Sequence, residues 1–262
     1  MAEFNFVEAA AAGYRFVWRE RRSILTLALI PLSVKVGSYA AISLFDMEKN
    51  FLRQGLVMLP AHFLEGFVVA LVVRMALLGE NFTRLFDPGP GQPQQFSESQ
   101  RRAVMASAAI YLLTKLVCSF FAGSMMTAQT MEPIPSMTPP PTSTLTMTIM
   151  LIIFMVWMFR FFWLYVPAAM GVSVRQFLQA INSFYSSFYL LGLWVVCFVP
   201  LMGILIGIAK SLLILLGQES LPYMVLIAFI QAVFELGIAL VAAVAMGYTV
   251  RNVMTGGPGA LR

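Results

Sequence analysis

Charge is what this sequence has least of. Only 11% of its 262 residues are Asp, Glu, Lys or Arg, whereas soluble domains carry about a quarter. Hydrophobic residues make up 60%. That is too much apolar surface to hide inside one soluble core, so lipid must solvate much of it. The net charge is +5, but no Lys/Arg-rich run occurs, which argues against nucleic acid as a partner and for positive charge on a cytoplasmic membrane face. Histidine occurs once, at His62, and cysteine twice, at Cys118 and Cys197. Both cysteines lie within apolar runs, so neither a disulfide framework nor a zinc spacing is present. No G-x-S-x-G occurs and no Ser/His/Asp set can be assembled. "HFLE", from His62 to Glu65, is not the HExxH zinc motif, and "GPG" at 89–91 lacks the lysine and following helix of a P-loop. The expectation is a protein without enzymatic activity, cofactor or metal.

Long apolar runs are what the chain has instead. A helix needs roughly 20 apolar residues to cross the hydrocarbon. Six stretches qualify: 23–45, 55–79, 103–126, 144–167, 188–216 and 222–250. The expected fold is an all-α polytopic membrane bundle of six transmembrane helices arranged as three hairpins. Residues 1–22 would form a cytoplasmic amphipathic segment, 23–250 the membrane domain and 251–262 a cytoplasmic tail. The fifth span contains Pro200, which predicts a kink. The first span is read as a retained anchor rather than a cleaved signal, because a long flank with Glu3, Glu8 and Glu20 precedes it and Pro31 and Lys35 interrupt it.

Basic residues orient the bundle. Arg15, Arg19, Arg21 and Arg22 precede the first span, Arg84, Arg101 and Arg102 lie in the second connection, and Arg175 lies in the fourth. The first connection holds only Lys49 and Arg53. Both termini are therefore expected on the cytoplasmic side of an inner membrane. "DPGPGQPQQ" (87–95) reads as a flexible polar loop and "MEPIPSMTPPPTSTL" (131–145) as an extended proline-rich connection. Amphipathic spacing appears on the cytoplasmic side. Phe6, Val7, Ala10, Tyr14, Val17 and Trp18 share one face, as do Val174, Phe177, Leu178, Ile181 and Phe184; "NFTRLF" (81–86) is shorter. Such helices lie in the headgroup layer or cover the end of the bundle.

Charges inside the spans are the candidate functional residues. Lys35 sits about 12 residues into its span, roughly 18 Å at helical rise and near mid-membrane. A lysine there costs about 2.5–3.5 kcal/mol unless it faces a partner or a cavity. The first hairpin turns near Asn50, and Glu65 follows the turn by as many residues as Lys35 precedes it, so a Lys35–Glu65 pair is expected. His62 lies one turn from Glu65 and can join it. Lys115 in the third span and Glu235 in the sixth are expected to pair across the bundle. Arg74, Arg160 and Lys210 read as interfacial anchors. Small residues suggest close helix approach: Gly203 and Gly207 in the fifth span, and Gly237, Ala239, Ala243 and Gly247 in the sixth. They would pack the last hairpin or a homodimer.

The segment "FVWRERRSILTLALIPL" (16–32) and the segment "YSSFYLLGLWVVCFVPL" (185–201) place a lead-in, an apolar run and Pro-Leu at matching positions, a hint of duplication. An amphipathic "GYRFVWRERRSILTLALIPL" before the first span, with a similar lead-in before the fifth, resembles the YciC-like bacterial inner-membrane proteins and the membrane domain attached to some glycerophosphodiester phosphodiesterases. The resemblance implies a six-span inner-membrane protein tied to envelope or lipid homeostasis. It carries no catalytic motif, and the phosphodiesterase barrel is absent here. Two functions then compete. One is a non-enzymatic structural or assembly protein whose partners are membrane lipids, other membrane proteins or a second copy. The other is a small-solute or proton-coupled transporter or channel using Lys35, His62, Glu65, Lys115 and Glu235. A continuous polar cavity would favour transport, and a dry, paired cluster the structural role.

Overall fold

The computed structural model describes residues 6–45, 47, 50–80, 97–131, 142–182, 184–217 and 221–254. Within them the protein is all-α. The elements run α1 (Phe6–Arg19), α2 (Arg21–Leu44), α3 (Phe51–Leu78), α4 (Glu98–Met131), α5 (Thr142–Met158), a 3-10 segment (Phe159–Trp163), α6 (Tyr165–Ala169), α7 (Val174–Ala180), α8 (Phe184–Leu216) and α9 (Leu221–Met254). Five of these, α2, α3, α4, α8 and α9, are long and apolar enough to cross a membrane. The chain is a polytopic membrane protein.

The fourth expected span, 144–167, is not one long helix. It divides into α5, the 3-10 segment and α6. Pro167 supplies the reason. It has no N–H for the carbonyl four residues back, at Trp163, and its ring crowds that carbonyl. The chain tightens instead, with Leu164 N–H donating to the Phe161 carbonyl at 3.3 Å, and the aromatic run 159–163 turns into the bundle. Pro31, Pro60 and Pro200 each lie inside a long helix without ending it.

Helix α3 is the centre. Val68 through Val73 are six consecutive buried residues, the sign of a helix surrounded by protein. α2, α4 and α9 pack around it. Outward-facing Leu25, Leu29, Ile30, Ile153, Val199 and Ile204 are exposed, as suits surfaces wetted by lipid. Asn50 caps the start of α3, its side chain accepting from the Arg53 N–H at 3.1 Å. Gly79 ends it with φ +69°, a left-handed conformation that suits glycine.

Helix α1 packs against α9 and α8. Its buried residues are Ala10, Gly13 and Phe16; Phe6, Val7 and Trp18 are exposed. The buried face is thus rotated from the expected one. Gly13 is the contact point: a Cβ there would lie 2.6 Å from the Val241 carbonyl oxygen. Tyr14 reinforces the dock by donating to the Cys197 carbonyl at 2.6 Å. Exposed Trp18 carries the Arg21 guanidinium 5.0 Å from its ring centroid, a pairing suited to a headgroup layer. Phe177 of α7 and Ile181, the residue that ends it, turn inward. The "NFTRLF" and "DPGPGQPQQ" stretches, residues 132–141 of the proline-rich connection and residues 255–262 lie outside the described residues.

Candidate functional site

Four helices each place two polar side chains one turn apart on the face they turn toward the others. α2 contributes Lys35 and Tyr39, α3 His62 and Glu65, α4 Tyr111 and Lys115, and α9 Gln231 and Glu235. Spacings of three or four residues put such side chains on one helical face. They form a single cluster.

Lys35 is its hub. Its ammonium lies 2.9 Å from Glu65 Oε2 and 2.8 Å from Glu235 Oε2. Tyr111 donates to Glu65 Oε1 at 2.7 Å. Tyr39 donates to the Glu235 carboxylate at 2.7 Å, and Gln231 Nε2 donates to it at 3.0 Å. His62 Nδ1 stands 3.5 Å from Glu65 Oε2. Lys115 is looser: its ammonium is 3.9 Å from Glu65 Oε1 and 5.5 Å from the Tyr111 ring centroid. Two ammonium groups thus face two carboxylates and cancel. Neutrality matters because unpaired charge is costly at low dielectric.

The expected Lys35–Glu65 contact is present. The expected Lys115–Glu235 pair is not. Lys35 takes Glu235, and the carboxylate nearest to Lys115 is Glu65. Packing explains the exchange. α2 contacts both α3 and α9, so Lys35 falls between their two carboxylates, whereas α4 packs on α3 and α6. Gly66 lets α4 approach, since a Cβ there would sit 2.9 Å from Tyr111 Cδ1 and 3.1 Å from the Ala108 carbonyl oxygen. Tyr39, Tyr111 and Gln231 were absent from the sequence reading. Their signal was available: each is a hydrogen-bonding residue four positions from an intramembrane charge.

The cluster has a buried side and an open side. The side chains of Lys35 and Glu65 are 2% and 1% exposed, those of Lys115 and Glu235 each 30%. The open side meets a cavity of about 490 Å³ between α4, the 3-10 segment, α6, α8 and α9. Lys115, Gln231 and Glu235 stand on its wall, while most of its lining is aromatic or aliphatic.

A second ionic cluster holds the other end of α3. Arg74 donates to both Glu80 oxygens and to the Ala169 carbonyl at 2.7 Å, and Gln100 donates to Glu80 at 3.0 Å. Burial alone would raise the Glu80 carboxyl, but the Arg74 and Gln100 hydrogen bonds outweigh it and hold the group below its ordinary range. Arg74 is therefore a buried clamp, not an anchor in the headgroups. Arg160 is buried too, lying 4.1 Å from the Trp157 ring centroid and donating to the Asn182 carbonyl. Lys210 is exposed.

The small residues divide. Gly247 packs tightly, with Leu77 Cδ1 2.3 Å from where its Cβ would be, and Ala243 is fully buried. Ala239 lines the cavity. Gly203, Gly207 and Gly237 have nothing within 4 Å of a Cβ position, so they do not bring helices together among the described residues. Gly203 and Gly207 fall on the exposed side of α8, which is why their spacing does not become a contact. Among the described residues, no three His, Cys, Asp or Glu side chains converge as a metal would require.

No family model matches this chain, and neither a curated protein nor a solved structure matches it.

Proposed function

We propose that this chain is a non-enzymatic, six-span protein of the bacterial inner membrane, with both termini cytoplasmic and a structural or assembly role in envelope-lipid homeostasis. The observation that carries this reading is the neutral cluster around Lys35, with Lys35 and Glu65 almost wholly buried. Its charges are committed to one another across α2, α3, α4 and α9, with tyrosine hydroxyls filling the remaining acceptor sites. Such a cluster fixes helix register by holding four helices at one depth. The resemblance of the two lead-in segments to YciC-like proteins supports the same role. The proposed partners are membrane lipids and, through the open Gly203–Gly207 face, other membrane proteins or a second copy.

Purified protein in liposomes tests the reading. Proton and solute flux should equal that of protein-free liposomes. The competing reading, a transporter or channel, is favoured by the open position of Lys115 and Glu235 on the cavity wall. Flux abolished by Glu65→Gln but not by Arg160→Gln would establish that competitor. Orientation is tested separately, with single cysteines at Ser136 and Gln95 in a background lacking Cys118 and Cys197. An impermeant thiol reagent should label position 136 on intact cells and spare 95; the reverse pattern would invert the topology.

A further inference from the structure

The cavity beside the charge cluster has three properties that together describe a ligand. The first is its aromatic wall. Tyr111, Tyr165, Trp163, Phe159, Trp194 and Phe198 all line it and contact one another in sequence. Tyr111 and Tyr165 centroids are 5.1 Å apart, Tyr165 and Trp163 6.3 Å, Trp163 and Phe159 6.2 Å, Phe159 and Trp194 6.1 Å, and Trp194 and Phe198 4.5 Å. Such a wall offers both faces and edges to a flat ring. A volume of about 490 Å³ falls in the range of small-molecule sites.

The second property is unspent donors. Trp163 is 3% exposed, and its indole Nε1 has no hydrogen-bond partner among the described residues. A buried N–H without an acceptor is costly and calls for one. Lys115, on the same cavity wall, has its nearest carboxylate oxygen at 3.9 Å, beyond hydrogen-bond distance. The Trp163 nitrogen is itself closed to a water-sized atom, so of the two it is Lys115, with its side chain 30% exposed, that an acceptor oxygen on a ligand would satisfy. The third property is neutrality. The two ammonium groups and two carboxylates already balance, so a charged ligand would bring an uncompensated charge into low dielectric.

We propose that this cavity binds an uncharged, lipid-soluble molecule carrying a flat ring with acceptor oxygens, the chemistry of a quinone. The ring packs along the aromatic wall, and one of its oxygens accepts from Lys115. The site is independent of the structural role proposed above, since ligand binding requires no flux.

The test uses the full chain in nanodiscs of zwitterionic lipid. Trp18→Phe and Trp157→Phe leave Trp163 and Trp194 as the reporters of the four tryptophans. The probe is a fully alkyl-substituted, short-chain benzoquinone, which leaves no unsubstituted ring carbon for the Cys118 thiol on the cavity wall to add to. Saturable quenching is expected. Lys115→Met should weaken apparent affinity by roughly tenfold, the scale of a lost charge-assisted hydrogen bond. Ala239→Phe, which fills the cavity, should abolish saturation. Exposed Lys210→Met should change nothing. Quenching that rises linearly with probe, or that survives Lys115→Met and Ala239→Phe unchanged, would show partitioning into lipid and overturn the proposal. Equal displacement of the probe by a linear alcohol of the same chain length would overturn the ring selectivity.

Discussion

Lys35→Met is expected to destabilise the protein more than any other single substitution in the charge cluster, by about 3–5 kcal/mol. The ammonium joins two carboxylates at 2.9 and 2.8 Å. Its loss strands both, and Lys115 at 3.9 Å from Glu65 is too loose to replace it. Glu65→Gln should cost less, because Lys35 keeps Glu235 and an amide oxygen can still accept from Tyr111. The combination Lys35→Met with Glu65→Gln restores charge balance, leaving Lys115 opposite Glu235. It should therefore cost less than the sum of its parts. The measurement is a double-mutant cycle on resistance to unfolding in detergent, read by size-exclusion chromatography across a temperature series. Strictly additive costs would mean that water, not the partner, stabilises each charge.

Gly13→Val is expected to release α1 from the bundle. The added Cβ would meet the Val241 carbonyl oxygen at 2.6 Å and Ala245 Cβ at 3.2 Å. A backbone carbonyl inside α9 cannot move aside, so the helices must separate. Gly66→Val should act similarly at the crossing of α3 and α4, where the Ala108 carbonyl stands 3.1 Å away. Overpacking of this kind costs about 1–3 kcal/mol. Gly203→Val and Gly207→Val are the contrast, for no described residue lies within 4 Å of either Cβ position. Thermal midpoints of the four variants separate the cases. A drop for Gly203→Val as large as that for Gly13→Val would mean that the exposed face of α8 is a helix–helix contact.

The contrast between these glycines shows where the sequence was readable. Apolar runs located five long helices to within a few residues, because burial in lipid demands length and nothing else does. The depth argument also placed Lys35 beside Glu65, since a hairpin fixes the relative height of its arms. Contacts between hairpins were not readable in that way. Height is the same for Glu65 and Glu235, so only the packing of α2 between α3 and α9 decides that Lys35 takes both. The two glycines that seat α1 and α4 do carry the small-xxx-small spacing, Ala9 with Gly13 and Gly66 with Ala70, as do the exposed Gly203 and Gly207, so the spacing alone does not tell a contact from a lipid-facing surface. Pro167 stands at the end of the fourth apolar stretch, but the stretch was read by its hydropathy as one span, and the break four residues earlier was missed.

The docking of α1 onto α9 also has a temporal meaning. A ribosome delivers α1 and α2 well before α9. The surface of Gly13 and Phe16 cannot find Val241 and Ala245 until almost the whole chain has entered the membrane. Tyr39 likewise waits for Glu235, 196 residues later. During that interval Lys35 has only Glu65 for a partner, and the apolar face of α1 stays uncovered at the membrane surface. The final helix therefore completes two unfinished surfaces at once. A chain that stopped before it would display both, giving a membrane protease or chaperone a physical mark of incompleteness.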